Sequence, residues 1–159
     1  MFETTIATHR FIRQYGEGLV ADIPDSEFCH QPQPGMNHPA WIFGHLAFAL
    51  DAHAFYLGEP RQLESWSNAM GIQSKVSADP DHYPDRAEIM ASWYAASDRM
   101  MAAAASATPE MLSEKTAGML AEAFPTVADF VPFSMIGHTS LHFGQLSAWR
   151  RATGRAPQF

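Results

Sequence analysis

His138 and His142 stand four residues apart in the run MIGHTSLHFGQLSAWRR. On an α-helix that spacing leaves the two side chains about 40° apart around the axis and about 6 Å apart along it. One metal ion can reach both imidazoles from there. The two histidines of helical zinc proteases follow the same i, i+4 logic, but a glutamate general base lies between them. Here the intervening residues are Thr139, Ser140 and Leu141, so a helical metalloprotease is disfavoured. Spacing alone leaves two readings open: half of a metal site, or two core histidines with hydrogen-bond partners. The same stripe continues through Met135, Gln145 and Trp149. Polar side chains on an inward face need partners, because a buried polar group without one costs roughly 1–3 kcal/mol. A metal ion would satisfy both histidines together.

Such a site needs at least one more ligand. The other histidines are His9, His30, His38, His45, His53 and His82. His45 ranks first. It sits in the middle of NHPAWIFGHLAFAL, at a depth where a facing helix can meet His138 and His142. Standing alone, it would read as a satisfied core histidine. His53 lies two turns further on. Capping or solvent accounts for His38, and His9 faces either solvent or the same cavity. His30 and His82 fall in proline-rich loops and read as solvated. Three neutral imidazoles leave the full charge on a divalent ion. They also leave coordination positions open, which is the pattern of a reactive site rather than a closed structural one. An ion held this way lowers the pKa of a bound water or thiol. Imidazole suits Zn, Ni, Cu or Fe, and zinc or nickel is the divalent ion expected first. Cys29 precedes the second helix in a loop and reads as incidental. Asp51 and Asp98 read as helical acids facing water.

The elements that must position these residues are helices. A first helix is predicted over about residues 3–22, with Phe11 or Ile12, Tyr15 and Leu19 on one stripe. A second fits about 38–57, with Asn37 as N-cap, Pro39 just inside the start, and Gly58 then Pro60 ending it. Trp41, His45, Phe48 and Ala52 share one side, and Phe43, Leu46, Leu50 and Leu57 the next. Residues 59–84 hold four prolines or glycines and no sustained period, so they form a long connection: a crossover or a cover over a pocket. A third long helix is predicted over about 85–107, and a short one follows Thr108 to about 115. The last runs from about 127 to 153. Thr126 and Asp129 resemble a capping box, Pro132 predicts a kink, and Gly154 closes the helix. No segment alternates as a strand does. The fold class expected is all-α, four helices of about 20 residues, hence about 30 Å each, in an antiparallel four-helix bundle.

Bulk properties narrow the partners. A chain of 159 residues is the size of one domain, residues 1–159, and 47% hydrophobic against 17% charged residues is a folded composition. Ten Lys and Arg in a chain of net charge −7 supply no basic face for phosphates, so no nucleic acid is expected, and no anionic membrane surface. With one cysteine there is no intrachain disulfide. The N-terminus lacks the pattern of a signal peptide, and no apolar run can span a bilayer, so a cytoplasmic protein is expected.

NHPAWIFGHLAF followed about ninety residues later by GHTSLHFGQLSAWRRATG resembles the DinB-like superfamily of metal-binding helical bundles. The family carries one histidine in a W-x-x-GHL context on its second helix. It carries a pair as H-x-x-x-H-x-GQ on its last, with R-R-x-x-G after it. These match His45, then His138 and His142, then Gly144 and Gln145, then Arg150, Arg151 and Gly154. The resemblance implies an up-down-down-up bundle with a long crossover between helices two and three, a three-histidine divalent metal site, and a homodimer. Some relatives are transferases or isomerases that use a low-molecular-weight thiol, so such a thiol is an expected cofactor and a small molecule the expected substrate. Thr139 stands where relatives often carry an acid, so no carboxylate support is implied there. Three functions compete: a metal-dependent enzyme, possessing an open site for a thiol or water; a non-enzymatic bundle that holds an ion or small ligand; and a structural bundle whose histidines are merely hydrogen-bonded.

Overall fold

The helix that carries His45 has almost no polar face, so it has to be surrounded. In the computed structural model, which describes residues 1–158, every residue from 39 to 47 is buried. The helices in chain order are α1 (Glu3–Val20), α2 (Pro39–Ala54), α3 (Ser67–Met70), α4 (Arg86–Ser106), α5 (Pro109–Ser113), α6 (Val127–Pro132) and α7 (Thr139–Ala152). A π-helical turn, Phe133–His138, joins α6 to α7. The protein is all-α, with no strand among the described residues and one isolated bridge between Lys115 and Thr126. No helix among them is long and apolar enough to cross a membrane.

α2 packs chiefly on α4 and also meets α3, α7 and the π-turn, while α1 lies against α7, the π-turn and α4. Three rings from three helices meet at the centre. Phe43 lies 5.8 Å from Trp93 and 5.4 Å from Phe143, and Trp93 lies 5.8 Å from Phe143. All three are buried. Burying side chains of this size contributes about 2–3 kcal/mol each.

Local signals explain most helix ends. Asp85 caps α4 by accepting from Glu88 N at 2.8 Å. Thr126 and Asp129 form the reciprocal capping box that starts α6. Gly58 closes the 3-10 turn Phe55–Leu57 that follows α2, and Gly154 stands just past α7, both with left-handed backbone, φ +85° and +75°, which glycine adopts readily. At α2 the cap is displaced by one residue. His38, not Asn37, holds that position, and its Nδ1 accepts from Trp41 N at 3.3 Å. After Pro132, where a kink was expected, the helix changes to the π-turn, a six-residue stretch of wider helix starting at the next residue.

Asp51 corrects the sequence reading. It does not face water: its side chain is fully buried. It accepts from Gln62 N at 3.0 Å, Leu63 N at 3.0 Å and Arg99 Nη2 at 2.9 Å. The carboxylate thereby fastens the start of the long connection and one turn of α4 to α2. Removing one partner from a buried charged network leaves the rest unpaired, at about 3 kcal/mol or more. Asp51→Ala is therefore expected to lower the urea midpoint of unfolding by that equivalent. An unchanged midpoint would mean that the connection is not tied down at this point. Asp98, in contrast, is exposed and pairs with Arg13.

Candidate metal centre

α2, the last residue of the π-turn and the first turn of α7 bring His45, His138 and His142 together. One ring nitrogen from each lies within 4.8 Å of the other two. His138 Nε2 is 3.3 Å from His45 Nε2 and 3.2 Å from His142 Nε2. His45 and His142 are buried and His138 is half-buried.

The outer nitrogens decide which protons these rings carry. His45 Nδ1 lies 2.7 Å from the Met70 carbonyl. A carbonyl only accepts, so Nδ1 holds the proton and Nε2 is left with a lone pair. His142 Nδ1 lies 3.1 Å from Gln145 Oε1, which also accepts from Asn37 Nδ2 at 2.9 Å. His142 Nε2 is thus a lone pair as well. His138 Nδ1 is buried and has no partner among the described residues. Its Nε2 faces two lone pairs and can donate to only one of them. No placement of protons satisfies all three inward nitrogens, whereas one cation does, so the residues present fit a divalent ion.

Electrostatics keeps the donors available. Burial, and after it the neighbouring His142, His45 and His53, push His138 down to about 3. Burial and then His45 push His142 to about 4, against the hydrogen bond to Gln145. Burial lowers His45, against its bond to Met70. At neutral pH all three are uncharged imidazoles, the form that binds metal.

The surroundings are aromatic and close. Trp41, four residues before His45, stacks on its ring with centroids 4.7 Å apart and planes 4° apart. It also lies 5.7 Å from His142. The Trp41 indole N–H donates to Ser74 Oγ, and the proton on His38 Nε2 goes to the Ser77 carbonyl. His38, Trp41 and His45 thus stitch residues 70–77 of the long connection along one edge of α2. Gly44 makes this possible beside the site, since a Cβ there would fall 2.0 Å from Met70 Sδ.

Of the other histidines, His30 and His82 are exposed, as read. His38 caps α2, and His9 is buried on other partners. His53 approaches from the far end of α2: its ring is 6.0 Å from that of His138, and its Nδ1 is 2.7 Å from Ser134 Oγ. Trp149 is on the predicted stripe but gives its N–H to the His30 carbonyl at 2.7 Å. Cys29 does not join the cluster. Burial and the nearby Asp79 push its thiol up, opposite to what activates a nucleophile. Sequence reasoning missed the Met70 carbonyl and the Asn37–Gln145 pair, because the partners in these contacts stand 25 and 108 positions apart; the i, i+4 spacing of Trp41 and His45 was the available signal for the stack.

A family model described as the DinB superfamily matches residues 9–146, a span holding all three histidines. No curated protein and no solved structure matches the chain.

Proposed function

The chain belongs to the DinB superfamily, and we propose that it binds a divalent metal ion through His45, His138 and His142 and works as a metal-dependent enzyme on a small molecule. One observation carries this reading: the inward nitrogens of the three histidines converge, and outer hydrogen bonds fix two of them as lone pairs. A bound zinc or nickel ion supplies Lewis acidity and lowers the pKa of a water or low-molecular-weight thiol held on its open side. The chain's own residues would do the rest. Met70 and Gln145 orient two rings, and Trp41 walls the site. Residues 70–77, stitched to α2, would bound the approach to it. The reading takes with it a single four-helix bundle domain of up-down-down-up order, with the 59–84 stretch as crossover. It also takes a cytoplasmic homodimer.

A second reading, ion holding without turnover, is favoured by Thr139. This residue stands where relatives often carry an acid, and it is buried with its hydroxyl donating to the Ser134 carbonyl at 3.4 Å. No Asp or Glu joins the cluster among the described residues.

Elemental analysis of the purified protein is expected to find about one zinc or nickel ion per chain. A ligand that binds only the folded state at a thousand times its Kd stabilises it by about 4 kcal/mol. For a chain of this size, chelator is therefore expected to lower Tm by roughly 10 °C. Absence of metal together with an unmoved Tm would leave the structural bundle as the answer. If the ion is there, adding a small thiol to cobalt-loaded protein separates the remaining two. A new thiolate-to-cobalt absorption supports the enzyme; an unchanged spectrum supports ion holding.

A further inference from the structure

His138 differs from its two companions. His45 is oriented by the Met70 carbonyl and His142 by Gln145. His138 has no partner on its outer nitrogen among the described residues. Metal-binding imidazoles are ordinarily aimed by an outer hydrogen bond, so the aim of His138 has to come from its backbone. That backbone is a π-turn, an insertion that neighbours must hold in place.

The hold comes from residues far away in the sequence. His9 on α1 is fully buried. Its Nδ1 is 2.7 Å from the Met135 carbonyl, and its Nε2 is 2.8 Å from Ser97 Oγ on α4. The carbonyl can only accept, so Nδ1 donates and Nε2 accepts from the serine hydroxyl. The chain of bonds then runs one way, from Ser97 through His9 to Met135, three residues before His138. Ser97 is fully buried too, so no water competes for these bonds. From α2, His53 Nδ1 meets Ser134 Oγ at 2.7 Å, four residues before His138. An apolar side chain at position 9 would fill this space without the cost of burying a polar ring.

We infer that His9, backed by Ser97, is a positioning residue for the metal centre: it grips the Met135 carbonyl and so fixes where the π-turn points His138. It touches neither the ion nor the inward nitrogens. This inference rests on the metal reading above.

The test is zinc affinity by competition with a chromophoric chelator, together with the visible spectrum of the cobalt-loaded protein. The variants are His9→Leu, His9→Asn and Ser97→Ala. Ile89→Ala, a buried change elsewhere on α4, serves as the control for lost stability. Loss of an outer partner typically costs about 10–100-fold in metal affinity. His9→Leu is expected to weaken zinc at least about tenfold and to change the cobalt spectrum as one imidazole leaves. His9→Asn keeps a donor at the δ position and is expected to recover most of the affinity. Ile89→Ala is expected to lose stability and keep its affinity. If His9→Leu does not fold, Ser97→Ala decides: a severalfold weaker zinc site supports the inference and an unchanged one overturns it. Tight zinc in wild type and an unchanged constant in folded His9→Leu would overturn the inference and leave the metal reading intact. His9→Asn as weak as His9→Leu would overturn the hydrogen-bonding role. A wild-type protein that takes no zinc would overturn both.

Discussion

His138→Leu is expected to do two opposite things: abolish tight metal binding and raise the stability of the metal-free protein. The first follows from the donor set. With three nitrogens converging, removal of a ligand must cost more than the roughly 100-fold lost with an outer partner. The second follows from the conflict inside the cluster. His138 Nε2 faces two nitrogens that carry lone pairs, at 3.3 and 3.2 Å, and its Nδ1 is buried without a partner among the described residues. Each buried unsatisfied group costs about 1–3 kcal/mol. Leucine has a similar volume and no such group, and buried polar clusters replaced by well-packed apolar ones are often stabilised. Melts in chelator are expected to show the variant about 1–3 kcal/mol more stable than wild type. Melts in excess zinc should reverse the order, because only wild type gains from the ion. A variant that is less stable without metal would show the histidines satisfying one another, and the structural-bundle reading would stand. The expected pattern is that of a site retained at a cost to the fold.

What could be read from the sequence divides along a physical line. Helix periodicity is local, so the stripes, the cap at Thr126 and the pairing of His138 with His142 follow from residues within a turn or two. The motif around His45 supplied the third member. Properties fixed by distant chain segments were not legible. Asp51 looked like any helical acid, because the amides that bury it belong to Gln62 and Leu63, in a stretch with no period. His9 is held by residues 88 and 126 positions away. Asn37, predicted to cap α2, instead reaches Gln145, 108 positions on, and His38 caps the helix. In each case a polar side chain found a partner that only tertiary packing could deliver. Pro132 lies between the two classes. It announced a disturbance in the last helix, but that the disturbance would be a π-turn, and that it would carry a candidate ligand, depended on what α1, α2 and α4 offered to hold it.

Acid is expected to unfold the metal-free protein steeply between pH 6 and 4, and the sign follows from the cluster. In the unfolded chain a histidine titrates at about 6.5. In the folded protein burial holds His53 and His138 to about 3 and His142 to about 4. Between those values the unfolded chain binds protons that the folded one refuses, so falling pH favours unfolding. The stability carried by these groups is fully present above about 6.5. It is lost as pH falls toward the folded values and falls no further below about 3. Each histidine contributes a slope of up to about 1.4 kcal/mol per pH unit, so three give about 4. Against a total of about 5–15 kcal/mol for a domain, two pH units are enough to reach the transition. Urea melts at steps of half a pH unit check this. His138→Leu should lower the slope by one histidine's share. Zinc should move the transition to lower pH, because protons must displace the ion before they can reach the rings. A flat profile from pH 7 to 4.5 would mean that the folded protein takes up these protons without opening. In that case water already reaches the three rings, and their neutrality at lower pH is not what the fold defends.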